Sequence, residues 1–193
     1  MPKNELPEVI AFDGETCVGM GALPEVARAV KAHVQRHKAA QVLIFDGATS
    51  RPIELDLRGT LEQVLARLPK PAAPEEAPEE NRGPGRPKLG VVAREVTLLP
   101  HHWEWLNAQP GGASVALRKL VEQARRDNAD ADRIREARES VYRFMVAVAG
   151  SAPRFEDGAR ALFAGEDEAF REVIKRWPKD PREHLRRLHA AVS

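Results

Sequence analysis

The stretch Ile10-Ala11-Phe12-Asp13-Gly14-Glu15-Thr16 decides the fold of the N-terminal segment, because it recurs as Leu43-Ile44-Phe45-Asp46-Gly47-Ala48-Thr49. Each copy is an apolar run that ends in Asp-Gly, a dipeptide that readily takes the positive φ angles of a tight hairpin turn. Each copy therefore predicts a strand, a turn and a returning strand. The second returning strand is expected from Ile53 to Leu57.

A helix is predicted after each of these hairpins. Pro24 stands in the first turn of a segment whose apolar residues, Val26 among them, recur at helical spacing. Thr60 and Gln63 then form a capping-box pattern ahead of a second apolar helix. Residues 1–68 are therefore predicted to form a ββαββα domain, an antiparallel sheet covered on one face by two helices, within an α+β protein.

An acidic, proline-rich linker is predicted at residues 69–81, which carry no large apolar side chain to bury after Pro69. Charge changes sign across it. Residues 1–81 hold 9 basic and 13 acidic side chains, a net charge of −4, and residues 82–126 hold 8 and 3, a net charge of +5. Residues 127–193 hold 13 of each and are neutral. A locally basic segment in a neutral chain indicates an anionic partner at that segment.

The C-terminal segment, residues 129–193, is predicted to be a helical domain of four short amphipathic helices. Apolar residues from Ile134 to Val148 recur every three or four positions, and Gly150 ends that pattern. Two further helices are expected to end at Gly165 and Pro178, and a last one follows Pro181. These helices form either a small bundle or a cap over the sheet.

The basic segment begins with a short arm. Gly85-Arg86-Pro87, flanked by Arg82 and Lys88, resembles the core of an AT-hook. In an AT-hook, an extended Arg-Pro backbone lies in the narrow minor groove of A·T-rich DNA and the Arg side chain reaches its floor. The resemblance implies contacts from Arg82, Arg86 and Lys88 to phosphates or to the minor groove.

A strand, a helix, a glycine turn and a second helix follow the arm within residues 82–128. Val91 to Pro100 has the β-branched content of a strand, His102 to Ala108 predicts a helix, and Ala113 to Arg126 predicts another. This order resembles the ribbon-helix-helix family. In that family two chains pair their strands, and the resulting ribbon enters the major groove of DNA. The resemblance implies a homodimer, which also pairs the lone strand.

The register of this predicted strand has two solutions. Ala93, Glu95 and Thr97 face the DNA in one, and Arg94 and two apolar residues face it in the other. The second helix contributes Arg118 and Lys119 in either case. A helix-turn-helix, with the second helix as the reader, is an alternative geometry, as is an interaction hairpin that keeps the topology without reading bases.

Three motifs are spread along the chain: Gly85-Arg86-Pro87-Lys88-Leu89-Gly90, His102-Trp103-Glu104-Trp105-Leu106 and Ala161-Leu162-Phe163-Ala164-Gly165. Through them the whole chain resembles an uncharacterised bacterial family, domain of unknown function 2239. The resemblance spans nearly the full length. It implies the same domain order and transfers no activity.

The sequence predicts no enzyme, no metal site and no cofactor. His184 and His189 are five positions apart and do not share a helix face as a zinc pair would. Cys17 is the single cysteine, which suits a reducing compartment, and no apolar run resembles a signal peptide or a membrane span. A cytoplasmic location is therefore expected, without a membrane partner.

Two functions from different classes follow. The first is a DNA-binding protein, a homodimeric transcriptional regulator or nucleoid-associated factor, that contacts duplex DNA through the arm, Arg94 or Thr97, and the second helix. The second is a protein–protein adaptor, antitoxin-like or an assembly component, that engages a protein through the N-terminal or C-terminal domain and reads no bases.

Overall fold

The computed structural model describes residues 8–69 and 92–192. These residues form a mixed α+β structure with a three-stranded antiparallel sheet and eight helices. The chain divides into two compact units, residues 1–68 with 130–193 and residues 69–129. We call the described parts of these the sheet unit and the hairpin unit. No helix within the described ranges is long and apolar enough to cross a membrane.

The regular elements follow one another in the order ββαβα in the first part of the sheet unit. They are β1 (Val9–Asp13), β2 (Thr16–Gly21), α1 (Leu23–Arg36), β3 (Val42–Asp46) and α2 (Leu61–Arg67). The hairpin unit contains α3 (Pro100–Asn107) and α4 (Gly112–Asp127). The remaining helices are α5 (Ala129–Ala149), α6 (Phe155–Ala164), α7 (Asp167–Ile174) and α8 (Lys179–Ala190).

The first copy of the sequence repeat forms the predicted hairpin. β1 is the central strand and pairs antiparallel with β2 on one side and β3 on the other. Asp13 pairs with Thr16, which leaves Gly14 and Glu15 as the loop. Gly14 has a φ of +57°, the conformation that glycine adopts at no steric cost.

The second copy forms a strand but not a second hairpin, so the predicted returning strand from Ile53 to Leu57 is wrong. Among the described residues, the segment after the turn pairs with β3 only through an isolated bridge between Phe45 and Pro52. Two backbone hydrogen bonds flank this bridge, from the Asp46 N–H to the Arg51 carbonyl at 2.9 Å and from the Ile53 N–H to the Ile44 carbonyl at 2.8 Å. The pairing ends at Ile53, so no strand continues to Leu57. The predicted order ββαββα is therefore corrected to ββαβα.

One face of the sheet packs against α1, as the amphipathic spacing predicted. Val9, Ala11 and Ile44 form a buried cluster with Val26 and Val30 of this helix. The chain after Pro52 adds half-buried apolar side chains to the edge of this cluster without regular strand pairing; they are Ile53, Leu55 and Leu57.

The predicted capping box at the start of α2 is confirmed. The Gln63 N–H donates to the Thr60 hydroxyl oxygen at 3.3 Å, and the Thr60 N–H donates to Gln63 Oε1 at 3.0 Å. These two bonds satisfy two backbone donors at the start of a short helix, which otherwise lack partners.

The other face of the sheet is covered by the C-terminal helices, so the prediction of a sheet covered on one face is corrected. Ile10, Phe12 and Phe45 belong to the same buried cluster as the apolar faces of α5 to α8. Phe144 of α5 lies at its centre, with ring centroids 5.2 Å from Phe12 and 5.7 Å from Phe45. Of the two arrangements that the sequence left open, a bundle or a cap, the helices cap the sheet.

This shared core joins two segments that the sequence analysis placed in separate domains, residues 1–68 and 129–193. β1 explains why both faces are covered, because its four residues from Val9 to Phe12 are all buried. Side chains of a strand point alternately to opposite faces, so a run of consecutive apolar residues needs cover on both sides. The linker and module boundaries at residues 69–81 and 82–128 remain predictions.

The predicted strand from Val91 to Pro100 does not form within this chain. Residues 92–99 lie outside any helix or strand, α3 begins at Pro100, and Val91 lies outside the described residues. A strand is defined by a partner ladder, and no described residue offers one to this segment. α3 and α4 form where the sequence predicted two helices.

Candidate nucleic-acid interface

The hairpin unit is built from two helices joined by a glycine turn. Pro100 fits the first turn of α3, where its missing N–H costs no hydrogen bond. Gly111 and Gly112 take φ angles of +88° and +73° in the turn before α4. A Cβ on Gly111 would lie 3.1 Å from the Cβ of Val115, so both conformation and space favour glycine here.

The core of this unit is small. Leu106 of α3 and Ala116 of α4 are its buried apolar residues within the described range. Trp103 is half-buried, whereas 53% of Trp105 is exposed. The large apolar side chains that remain exposed are Val92, Val96, Leu99, Trp105, Leu120 and Val121. More large apolar residues of this unit therefore face outward than inward.

Part of this exposed apolar surface is continuous across the two helices. Trp105 of α3 and Leu120 of α4 line the same cavity of about 190 Å³, together with Ala116 and Lys119. We call these two exposed side chains, with the exposed Val121 next to Leu120 in α4, the apolar face of the hairpin unit. Contiguous apolar surface of this kind marks an interaction site more often than isolated exposed residues do.

The hairpin unit also carries exposed cations, and Lys119 lies beside Trp105 and Leu120. Arg94, Arg118 and Lys119 are exposed and form no ion pair with any described residue. By contrast, Arg125 and Arg126 near the end of α4 lie 3.3 Å and 4.0 Å from the Glu122 carboxylate. The first three cations are therefore the ones with an uncompensated charge within the described part of this unit.

The structure places the predicted DNA-binding residues in two groups. Arg94, Thr97, Arg118 and Lys119 are described, and all four are exposed. Arg82, Arg86 and Lys88 lie outside the described residues, as does the whole AT-hook-like arm. Residues 92–97 are exposed on both sides of the chain, so both strand registers stay open.

Cys17 lacks the setting of an activated nucleophile. Burial raises the pKa of its thiol, and the nearby Asp180 carboxylate raises it further. That carboxylate accepts a hydrogen bond from the Cys17 backbone N–H at 2.9 Å. In the ranges 8–69 and 92–192, no three histidine, cysteine or acidic side chains converge as metal ligands.

A second charged site lies in the sheet unit, and the sequence analysis missed it. Arg51, Arg133, Arg135 and Arg143 line a cavity of about 650 Å³. Arg133 and Arg143 are ten positions apart on α5, which separates them by about 80° around the helix, so helical spacing gave no clear signal. The position of Arg51 beside the arginines of α5 depends on tertiary packing and could not be predicted from sequence spacing.

Together these features define a class, an α+β protein that combines a sheet covered on both faces with a cationic helical hairpin. The chain belongs to a family described as an uncharacterized protein conserved in bacteria (DUF2239), whose family model matches residues 8–189. This match confirms the family resemblance noted in the sequence. Comparison with curated proteins and with solved structures gave no match.

Proposed function

We propose that the protein binds duplex DNA as a homodimer through its hairpin unit and the basic arm that precedes it. The observation that carries the proposal is the surface of the hairpin unit, where Trp105 and Leu120 are exposed beside Lys119. Arg94, Arg118 and Lys119 are exposed there and form no ion pair with a described residue. A dimer would cover the apolar face, and DNA would neutralise the cations.

Dimerisation is supported by the exposed apolar side chains of the described hairpin unit. Large apolar side chains left exposed mark an interaction surface, because covering them removes apolar area from water. The described hairpin unit buries Leu106 and Ala116 and leaves Trp105, Leu120 and Val121 exposed. A second copy would cover these side chains on both chains at once, because a twofold interface uses the same patch twice.

The segment before α3 favours the same partner. Residues 92–98 make no backbone hydrogen bond to another described residue. Pairing with the same segment of a second copy would satisfy their N–H and carbonyl groups as a two-stranded ribbon. This is the arrangement of the ribbon-helix-helix family, and in it one face of the ribbon meets the major groove.

DNA is favoured as the ligand by the charge distribution. Residues 82–126 carry a net charge of +5, while the chain as a whole carries +1. Arg94, Arg118 and Lys119 supply part of this charge from the described surface, and Arg82, Arg86 and Lys88 add the arm. Phosphate contacts by Lys and Arg give affinity without requiring base recognition.

Salt dependence tests the proposal. Fluorescence anisotropy with labelled random and A·T-rich duplexes should show affinity that falls steeply as salt rises. Replacing both Arg118 and Lys119 by Gln removes up to four contacts per dimer, so the slope of log K against log salt should become shallower by about 3 to 4. Replacing Arg86 and Lys88 by Ala should weaken binding mainly to A·T-rich duplexes if the arm acts as a hook.

A matched control lies on the same helix. The double variant R125Q/R126Q removes the same charge from α4, but at residues already paired with Glu122. It should change the slope much less than R118Q/K119Q does. Equal losses in the two variants would contradict the assignment of the contacts to Arg118 and Lys119. Absence of duplex binding at low salt would end the DNA proposal.

The adaptor remains the second candidate, and the apolar face is the observation that favours it. If the purified protein ignores DNA at low salt, a protein is left as the partner for this face. Light scattering separates the cases further. A dimer whose mass falls to the monomer on replacement of Trp105 and Leu120 by Ser indicates self-association through the apolar face.

A further inference from the structure

We propose that the cavity of the sheet unit that is lined by Arg51, Arg133, Arg135 and Arg143, the arginine cleft, binds a small organic ligand that carries a diphosphate. The cleft lies between the turn after β3, the middle of α5 and the end of α8. It is formed by the sheet unit alone and is separate from the DNA-binding proposal.

The turn on one side of the cleft is fixed by hydrogen bonds. The Asp46 carboxylate accepts from the N–H groups of Ala48 at 3.1 Å and Thr49 at 2.7 Å, and from the Thr49 hydroxyl at 2.8 Å. Burial alone would raise the pKa of Asp46, but these donors outweigh it and lower the pKa. The carboxylate therefore stays ionised and holds the turn that presents Arg51.

The same turn is tied to α5 by a buried polar pair. Ser50 is fully buried and takes a φ of +52°, which is rare for a residue with a side chain. Its Oγ lies 3.0 Å from the Oγ of Ser140, and the Ser140 hydroxyl donates to the Ala48 carbonyl at 2.7 Å. Strained backbone held in place by its surroundings is common at ligand sites.

The arginines of the cleft are held by backbone carbonyls more than by carboxylates. Arg143 donates to the Thr49 carbonyl, and Arg133 donates to the Ala191 carbonyl at 3.3 Å. Neither they nor Arg51 form an ion pair with a described residue, whereas Arg135 lies 2.9 Å from Asp132. A guanidinium has five N–H donors, so each tethered arginine keeps donors for a ligand.

Charge and size together select the class of ligand. Four arginines and two glutamates, Glu136 and Glu139, line the cleft, and Asp132 pairs with Arg135, which leaves one net positive charge. Arg51, Arg133 and Arg143 are the cleft arginines that form no ion pair with a described residue. The planar fork of arginine suits phosphate and carboxylate oxygens. A volume of about 650 Å³ is within the range of small-molecule sites and exceeds the needs of a lone phosphate.

A diphosphate joined to an organic body fits both requirements. The diphosphate would take the arginines, and hydroxyl or amino groups of the body would donate to Glu136 and Glu139. A nucleoside diphosphate is the simplest ligand with these parts.

Isothermal titration of the full chain with ADP, inorganic pyrophosphate and adenosine tests the proposal. ADP should bind most tightly, pyrophosphate should bind more weakly, and adenosine should not bind. The variant R51Q/R133Q should weaken ADP binding by at least about ten-fold, because two charge-assisted contacts are lost. R51K/R133K keeps the charge but loses the fork, so its affinity should be intermediate.

Arg28→Gln is the matched control, since Arg28 is exposed on α1 and does not line the cleft. It should leave ADP binding unchanged. Dissociation constants weaker than about 1 mM for both ADP and pyrophosphate would overturn the proposal, as would equal binding by wild type and R51Q/R133Q when their melting curves coincide. If R51Q/R133Q weakens duplex binding while ADP and pyrophosphate give no heat, the cleft contacts nucleic acid and the small-ligand proposal is wrong.

Discussion

Replacing Phe144 by Ala should remove the main contact between the N-terminal strands and the C-terminal helices. Phe144 is fully buried, and its ring packs edge-on against Phe12, Phe45 and His184. Truncating a buried phenylalanine costs about 3–5 kcal/mol, and each aromatic pair contributes about 0.5–1.5 kcal/mol within such losses. We expect a loss near 4–5 kcal/mol in the free energy of unfolding, the upper part of that range, measured by urea denaturation with circular dichroism.

Phe163→Ala is the matched control for this experiment. Half of the Phe163 side chain is exposed on α6, where it contacts Tyr142 with ring centroids 5.3 Å apart. Its truncation should cost no more than about 1 kcal/mol. If Phe144→Ala costs no more than Phe163→Ala, the strands and the C-terminal helices do not share a core. The same conclusion follows if wild-type β1 and α8 lose hydrogen-exchange protection at different urea concentrations.

Three further changes test other parts of the sheet unit. Burial, with a smaller effect of Arg187, lowers the pKa of His184 from 6.5 to about 4. The neutral ring therefore stabilises the fold fully above pH 6.5. About 3 kcal/mol of the free energy of unfolding should be lost as the pH falls from 6.5 to 4. In urea unfolding, the free energy of unfolding of His184→Leu should depend less on pH over this window. Ser140→Ala leaves the buried Ser50 hydroxyl without its partner and should lower the free energy of unfolding by about 1–3 kcal/mol in the same assay. No change would contradict the role of this pair in holding the turn after β3 against α5. Thr60→Ala removes the cap of α2 and should cost about 1 kcal/mol, whereas Thr60→Ser should cost much less.

Local patterns in the sequence predicted the local structure well. The first Asp-Gly hairpin, the apolar face of α1 and the Thr60 capping box depend on residues close in the chain, and all three form. The second Asp-Gly copy did not form the predicted tight hairpin, because the Asp46 carboxylate accepts from the Ala48 and Thr49 N–H groups and builds a longer turn. The identical dipeptide therefore led to two different turns.

The pairing of the first and last segments was harder to predict. The four consecutive apolar residues of β1 required cover on both faces, which a single pair of helices could not provide. That requirement does not say which later segment supplies the second cover, because contacts between β1 and α5 span more than a hundred positions. Sequence spacing alone carries no information on such contacts.

The candidate sites divide in the same way. Arg118 and Lys119 could be identified because they lie on one predicted helix within a basic segment, and the structure leaves both exposed. The arginine cleft could not be identified from the sequence, because Arg51 comes close to Arg133 and Arg143 only when the turn after β3 packs against α5. The exposure of Trp105 could not be predicted either, because it follows from the small number of residues that are buried in the hairpin unit.

The sheet unit is interrupted in the sequence by the hairpin unit, and this order has a consequence for biosynthesis. Ile10 and Phe12 are synthesised before Leu185, Leu188 and Val192 of the same core, with more than 170 residues between them. At ribosomal speeds of about 5–20 residues per second, the intervening chain takes on the order of ten seconds. During that interval the face of the sheet that α5 to α8 cover is incompletely buried, and transiently exposed apolar surface of this kind is prone to aggregation.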